Sequence, residues 1–126
     1  MLRQPRRRLA RLAAFLLLLP TVAVAGEADV VEASARQASD GTWTITATVR
    51  HEDEGWVHFA DAFEALAPDG TVLGVRTLAH PHVDEQPFTR SLTGVVIPAE
   101  ITRIRVRAHD NVHGYGGAEL TVDLPR

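Results

Sequence analysis

The chain has 126 residues, with 13 arginines and no lysine, 16 acidic residues, six histidines and no cysteine. The lack of cysteine excludes a disulfide framework, a thiolate metal site and a lipid anchor on cysteine. Because five arginines fall within the first 25 residues, residues 26–126 carry a net charge of −8. This charge argues against nucleic-acid binding, which needs a basic face, and against binding to an anionic membrane surface.

The first 25 residues have the pattern of a secretory signal peptide. Five arginines precede the apolar run 12–19, and Ala23-Val24-Ala25 before Gly26 matches an A-x-A cleavage site. The apolar run is too short for a membrane span of about 20 residues. We therefore expect residues 1–25 to be a cleaved signal peptide and residues 26–126 to form one periplasmic or secreted domain. No stable membrane association is expected after cleavage, and the sequence leaves the Sec and Tat routes open.

After the signal, the chain predicts short strands separated by turns, at about 28–37, 42–49, 58–67, 71–79, 89–97, 103–109 and 120–124. In the second strand, threonines alternate with Trp43, Ile45, Ala47 and Val49, so one face is apolar and Trp43 is expected in the core. In the sixth strand, Ile104, Val106 and Ala108 alternate with arginines and His109. Seven short strands in about 100 residues favour an all-β, seven-stranded antiparallel sandwich, immunoglobulin-like or fibronectin-III-like.

The predicted connections are of two kinds. Three are compact turns, at 39–41, 68–70 and 98–100, and three are longer loops, at about 51–57, 80–88 and 110–117. The longer loops hold histidines, carboxylates, aromatic residues and glycines. Because successive antiparallel strands reverse direction, alternate connections lie at the same pole of the sandwich. All six histidines are therefore expected at one pole, and we call this end the loop pole.

Imidazole and carboxylate groups together suit Zn²⁺ or Cu²⁺, and we expect no other cofactor. In His80-Pro81-His82 the proline favours an extended chain, which turns both rings to the same side. His109-Asp110-x-x-His113 converges if its loop coils into one turn, with Asp110 as a ligand or as a group that orients an imidazole. The predicted first-choice ligands are His80, His82, His109 and His113, completed by His51 or His58 and assisted by Asp110 or Glu52.

Two alternatives stay open at this stage. The histidines and aspartates of ordered loops often bond only to the backbone, which would make the cluster purely structural. Alternatively, the pole binds an unknown protein or a small ligand without a metal. In that case Trp56, Phe88 and Tyr115 supply contact area and Arg90 is the nearest counter-charge. No nucleophile elbow, H-E-x-x-H motif or phosphate-binding glycine loop occurs, so the sequence predicts no catalytic residue.

Three segments carry a resemblance to a known family: HEDEGWVHFADAFE, LAPDGTVLGVRTLAHPHVDEQPFTRSLTGVVIP and VRAHDNVHGYGG. They resemble segments of a family of small exported (periplasmic) uncharacterised bacterial proteins, and the likeness covers nearly all of the chain after the signal. The resemblance implies a one-domain periplasmic protein and no particular activity, ligand or catalytic residue. In outline the chain is also similar to periplasmic copper-binding sandwiches. Those proteins commonly use methionine or an N-terminal histidine, and this chain has neither from Gly26 onward.

Overall fold

The computed structural model of the protein describes residues 26–126, so the predicted signal peptide lies outside the described residues. The described part of the chain contains seven β-strands. Their bounds are β1 Asp29–Gln37, β2 Trp43–Arg50, β3 Ala60–Leu66, β4 Val72–Thr77, β5 Phe88–Val95, β6 Arg103–Asp110 and β7 Leu120–Asp123. Each strand begins and ends within two residues of its predicted position. No helix in residues 26–126 has the length and apolar character that crossing a membrane requires.

The strands form two antiparallel sheets, with the orders β1-β2-β5 and β4-β3-β6-β7. The predicted fold class, an all-β antiparallel sandwich of seven strands, is confirmed. In constant-type immunoglobulin domains the fourth strand joins the sheet of the first, second and fifth. Here β4 instead pairs with β3, in register from Ala62 opposite Thr77 to Leu66 opposite Val72.

The two sheets enclose one apolar core. Its largest fully buried side chains include Trp43, Phe63, Phe88 and Ile45, each contributing on the order of 1.5–3 kcal/mol through burial. The prediction that Trp43 belongs to the core is confirmed. The placement of Phe88 on a contact surface is wrong, because this residue begins β5, points between the sheets and is 1% exposed.

The inward-facing positions of two strands continue from the apolar core into polar residues. In β2, every second residue from Trp43 to Val49 is buried, and the same alternation continues through His51 and Asp53 beyond the strand end. In β6, Ile104, Val106 and Ala108 are followed on the same face by Asp110. These histidine and aspartate side chains therefore close one end of the core, which is the predicted loop pole.

The opposite pole carries the three compact turns and a shallow cleft of about 420 Å³. Pro68, Leu73, Pro98 and Ile101 line much of this cleft, and no histidine is among the residues that line it. Two carboxylates, Asp69 and Glu100, line this cleft, whereas the buried histidines and Asp110 lie at the loop pole. These buried polar side chains make the loop pole the candidate functional end of the domain.

Candidate metal centre

Three buried side chains converge at the loop pole: His51, His58 and Asp110. The Nε2 atom of His51 lies 3.2 Å from Oδ2 of Asp110, and Nε2 of His58 lies 3.3 Å from the same oxygen. One ligand atom from each of the three residues lies within 4.8 Å of the other two. His51 and His58 come from the two ends of the β2–β3 loop and Asp110 from the end of β6, so the fold brings the three together.

Two of the three separations match those of ligands that share one ion. Two atoms bound to zinc at 2.0–2.1 Å are about 2.9 Å apart at a right angle and about 3.4 Å apart at the tetrahedral angle. The two nitrogen–oxygen separations to Asp110, 3.2 and 3.3 Å, lie between these limits. The His51, His58 and Asp110 side chains could therefore hold a metal ion with small adjustments of their torsion angles.

Asp53 fixes the orientation of the His51 ring. Its Oδ1 lies 2.5 Å from Nδ1 of His51 and accepts the backbone N–H of Ala60, while its Oδ2 accepts the N–H of His82. Because both oxygens of Asp53 accept hydrogen bonds, the proton between the two side chains belongs on Nδ1. A carboxylate–imidazole pair of this kind orients a metal-binding histidine and increases the basicity of its free nitrogen.

The Nε2 atom of His51 faces two oxygen acceptors, Asp110 and the backbone carbonyl of Gly26, at 3.2 and 3.1 Å. A cation bound between Nε2 and these oxygens would be favourable, because both oxygens would then face positive charge, and the buried group of His51, His58 and Asp110 could hold one. Asp110 is 0% exposed, so its charge relies on the hydrogen bonds that it accepts within the loop pole.

The surroundings of Asp110 favour the anionic form of its carboxyl group. Burial raises the pKa of its carboxyl group, but hydrogen bonds from the backbone N–H groups of His113 and Val112, and a further one with His58, outweigh that effect. The net pKa is therefore below the ordinary value. Both backbone N–H groups donate to Oδ1, which leaves Oδ2 for the imidazoles of His51 and His58.

His113 stands beside this group at the solvent side. Residues 111–113 coil into a turn, as the H-D-x-x-H spacing suggested, and bring Nδ1 of His113 to 3.7 Å from Oδ2 of Asp110. The ring centroids of His113 and His58 are 4.9 Å apart. The His113 side chain is one-third exposed and lies at the solvent side of the buried group.

His80 and His82, two of the predicted first-choice ligands, lie outside this group. Their rings do point to the same side, with centroids 4.6 Å apart, as the intervening proline predicted. His80 is exposed, and its Nδ1 contacts the carbonyl of Pro81. His82 is buried and stacked on Phe88, and neither of its ring nitrogens has a hydrogen-bond partner within the described residues. Burial, followed by the charges of Arg90 and His80, lowers the pKa of His82 below its ordinary value.

His109, the third first-choice ligand, faces the other side of its sheet. Its Nδ1 lies 2.5 Å from Oδ1 of Asp61, the extra residue of a bulge in β3 that sets Ala60 opposite Asp110 and Ala62 opposite His109. Adjacent residues of a strand point to opposite faces, so His109 and Asp110 cannot share one ion on a regular strand. The expected His109-Asp110-x-x-His113 set is therefore corrected to Asp110 and His113.

The remaining predicted residues, Glu52, Arg90, Trp56 and Tyr115, lie outside the group of His51, His58 and Asp110. Glu52 is exposed and belongs to no ligand group among the described residues, and Arg90 pairs with Glu85 at 3.2 Å. Trp56 is 67% exposed, as a contact residue would be. Tyr115 is 41% exposed, and it packs on the sheet with its hydroxyl donating to Glu64 and the Arg107 guanidinium over its ring.

Sequence reasoning gave no special weight to Asp53, which holds the His51 ring in place. The signal that could have found it is the alternation of buried residues in β2. Continued past Val49 in steps of two residues, this alternation reaches His51 and then Asp53. The sequence marks Gly26 only as the residue after the predicted cleavage site, and nothing in its context indicates the contact with His51.

Comparison with known proteins gives one informative relationship. The chain is similar to a protein of Halomicrobium mukohataei named "Putative lipoprotein", with 38% identity over 97 residues. The match covers 77% of this chain and 47% of the relative, so the chain spans about half the length of the curated relative it matches. No family model matches the chain, and no solved structure matches it significantly.

Proposed function

We propose that this protein is an exported metal-binding sandwich that holds one divalent ion, Zn²⁺ or Cu²⁺, at the loop pole. His51, His58 and Asp110 would be the buried ligands, and His113 the fourth. The observation that carries the proposal is the pair of imidazole Nε2 atoms directed at one buried carboxylate oxygen, at separations suited to a shared ion. Asp53 would not bind the ion itself but would orient the ring of His51.

The donor set favours these metals. Imidazole nitrogen and carboxylate oxygen suit Zn²⁺ and Cu²⁺, whereas Cu⁺ prefers sulfur ligands. Residues 26–126 contain neither cysteine nor methionine, so this part of the chain offers no sulfur ligand at all.

Export is the second part of the proposal. The signal-like segment 1–25 and the name of the Halomicrobium mukohataei relative, a lipoprotein in its printed description, both support a protein that leaves the cytoplasm. A periplasmic or otherwise extracytoplasmic site would meet metal ions without competition from the cytosolic thiol pool. We therefore expect the protein to acquire its ion after export.

The proposal is tested by titrating metal-free protein, residues 26–126, with Zn²⁺ and with Cu²⁺ in competition with a chelator. We expect one ion per chain bound more tightly than about 1 μM. Asp110→Asn removes the shared anionic oxygen but keeps an oxygen for the Val112 and His113 N–H groups, and it should weaken binding at least about 10-fold. Asp61→Asn is the matched control, because Asp61 forms a hydrogen bond with His109 outside the group of His51, His58 and Asp110. The metal affinity of this variant should equal that of the wild type.

The absence of stoichiometric binding in the wild type would remove the metal proposal. An equal loss in both variants would show that the ion binds through general negative charge instead of through this group. Since both substitutions remove one carboxylate charge, only the position of the change differs between them.

An exposed apolar rim supports a second candidate, a protein-interaction surface. Trp56, Val57, Val83 and Val112 come from all three loops of the pole and are between 56% and 77% exposed. Exposed carboxylates, including Glu52, Glu54 and Asp84, accompany them, and the described chain carries a net charge of −8. The occupant that fits this surface is a protein with an apolar patch inside a basic rim.

This candidate is tested by cross-linking in the cell envelope, followed by binding measurements with the purified partner. The double variant Trp56→Ser/Val57→Ser should lose at least about 10-fold in affinity, since exposed tryptophan is a frequent hot spot. Val75→Ser is the control, because Val75 is 50% exposed on a sheet face away from the loops. Equal affinity of the double variant and the control would exclude the rim as the contact surface.

A further inference from the structure

Gly26 lies directly at the candidate metal centre. Its carbonyl oxygen is 3.1 Å from Nε2 of His51, nearly the same separation as the 3.2 Å from that nitrogen to Oδ2 of Asp110. Both distances fall within the range expected for neighbouring ligands of one ion. The Gly26 oxygen therefore lies at the distance from Nε2 of His51 that a further ligand of the same ion would have.

The segment after Gly26 is held against the β6–β7 loop by several contacts. Oδ1 of Asp29 accepts the N–H of Ala118, and the N–H of Val30 donates to the Ala118 carbonyl, at 2.7 and 2.9 Å. Ala28 is 1% exposed, and its carbonyl occupies the space that a Cβ at residue 117 would need, so Gly117 permits the close approach. These contacts fix the start of β1 and leave Gly26 two residues from a buried anchor.

The sequence predicts that the chain is cut at the bond that precedes this residue. Signal-peptide cleavage after Ala25 would consume one water molecule and convert the Ala25–Gly26 peptide bond into an Ala25 carboxylate and a Gly26 ammonium group. Within one residue the backbone nitrogen and carbonyl oxygen are about 2.7–3.6 Å apart, depending on ψ. A free Gly26 amine would therefore lie within reach of any ion that binds the Gly26 oxygen.

We propose that signal-peptide cleavage completes the metal site: on binding, the new Gly26 ammonium group releases one proton to solvent, and the resulting amine and the Gly26 carbonyl oxygen chelate the ion held by His51, His58 and Asp110. The chelate is a five-membered ring containing the metal, the amine nitrogen, Cα, the carbonyl carbon and its oxygen. In the uncleaved chain residue 26 has an amide nitrogen, which is not a donor for a divalent ion unless it loses its proton. This inference rests on the proposed metal-binding function and adds that the tight site exists only after processing.

The experiment compares three proteins. The first begins at Gly26, the second retains Val24-Ala25 before Gly26, and the third begins at Gly26 but carries two extra alanines after Arg126. The C-terminal extension is the matched control, because Arg126 donates to the carbonyls of Pro98 and Ile101 at the turn pole, far from the centre. Copper(II) and Zn²⁺ affinities are measured for all three by chelator competition.

We expect the protein that begins at Gly26 and the C-terminally extended control to bind equally, and the N-terminally extended protein to bind about 10- to 100-fold more weakly, the size of effect found when one supporting group of a metal site is lost. In Cu²⁺ electron paramagnetic resonance, the processed form should show coupling to one nitrogen more than the N-terminally extended form. Sequencing of the exported protein should find Gly26 as its first residue.

Equal affinity of the N-terminally extended protein and the protein that begins at Gly26 would overturn the inference while leaving the metal proposal intact. A mature N-terminus at any residue other than Gly26 would overturn it as well. If none of the three proteins binds metal, the proposed function fails, and this inference fails with it. The outcomes therefore separate the two proposals.

Discussion

Asp53 connects three segments of the loop pole through one carboxylate. Its oxygens contact His51 Nδ1, the N–H of Ala60 and the N–H of His82, and the residue is 7% exposed. Replacement by asparagine removes the charge and turns one acceptor into a donor that faces another donor. We expect Asp53→Asn to lower the free energy of unfolding by ~2–4 kcal/mol.

Urea denaturation of the metal-free protein measures this effect. Asp84→Asn is the control, since Asp84 is exposed, belongs to the same loop pole and makes no hydrogen bond within the described residues. If the two variants unfold at the same urea concentration, Asp53 does not carry the loop contacts attributed to it.

The ionisation of Tyr115 is sensitive to the charges on the outer face of the β3–β6 pair. Burial and the hydrogen bond to Glu64 raise its pKa above the ordinary value, helped by Asp61, while Arg107 acts in the opposite direction. The folded state therefore favours the neutral phenol. This contribution to stability is fully present below about pH 10 and is lost as the pH rises through the higher pKa of the folded state.

Glu64→Gln should lower the pKa of Tyr115 toward its ordinary value, because the variant removes the carboxylate that opposes ionisation. Tyr115 is the single tyrosine, so phenolate absorbance in an alkaline titration reports this residue alone. Glu119→Gln, which removes the partner of Arg105 on the same sheet, should leave the titration unchanged. A Tyr115 titration that is identical in wild type and Glu64→Gln would contradict the assignment.

At the level of elements, the strands and their poles follow from the sequence, and the alternation within a strand also indicates which polar residues face inward. The alternation of β6 already assigned His109 to the face of the arginines and Asp110 to the face of Ile104 and Ala108. The number of histidines in a loop does not show which of them face the core. His58 could not be assigned from its pattern, because the bulge at Asp61 shifts the alternation between it and Phe63.

The β6–β7 loop packs against the start of β1, and a substitution at Gly117 tests this contact. A Cβ at this residue would collide with the Ala28 carbonyl, so Gly117→Ala should displace residues 26–28. We expect a loss of stability of ~1–3 kcal/mol and weaker metal binding. Gly41→Ala is a matched control, since its φ of +86° makes it strained, but it lies at the turn pole with no atom within 4 Å of the added Cβ.

Chelator competition and urea denaturation of the two glycine variants separate the effects. Both should be less stable than the wild type, but only Gly117→Ala should lose metal affinity. A Gly41→Ala protein that loses as much affinity as Gly117→Ala would show that general destabilisation, and not the contact with Ala28, governs the site.

On the scale of the whole molecule, the sandwich brings chemistry-bearing residues from distant sequence positions to one end of the core. His51 and Asp110 are 59 positions apart, yet their side chains are 3.2 Å apart. The sequence could predict this pole, because strand reversal alone places alternate loops together. It could not predict which histidines meet, because that depends on loop paths and on the bulge in β3.

Metal binding should stabilise the entire domain, since an ion that binds only the folded state shifts the unfolding equilibrium. At a free Zn²⁺ concentration 100 times the dissociation constant, the gain is about 2.7 kcal/mol, which corresponds to an increase in Tm of roughly 10 °C. Calorimetry of the wild type and Asp110→Asn, each with Zn²⁺ and with chelator, measures the shift. The variant should show little increase, and an equal increase in both proteins would place the ion elsewhere.

The most direct test of the central claim is an anomalous diffraction map from crystals of the zinc-loaded protein, residues 26–126. We expect the strongest peak about 2.0–2.1 Å from Nε2 of His51, Nε2 of His58 and Oδ2 of Asp110. A peak bound instead to His80 and His82, a peak at His109, or no peak in crystals soaked with stoichiometric zinc would contradict the account.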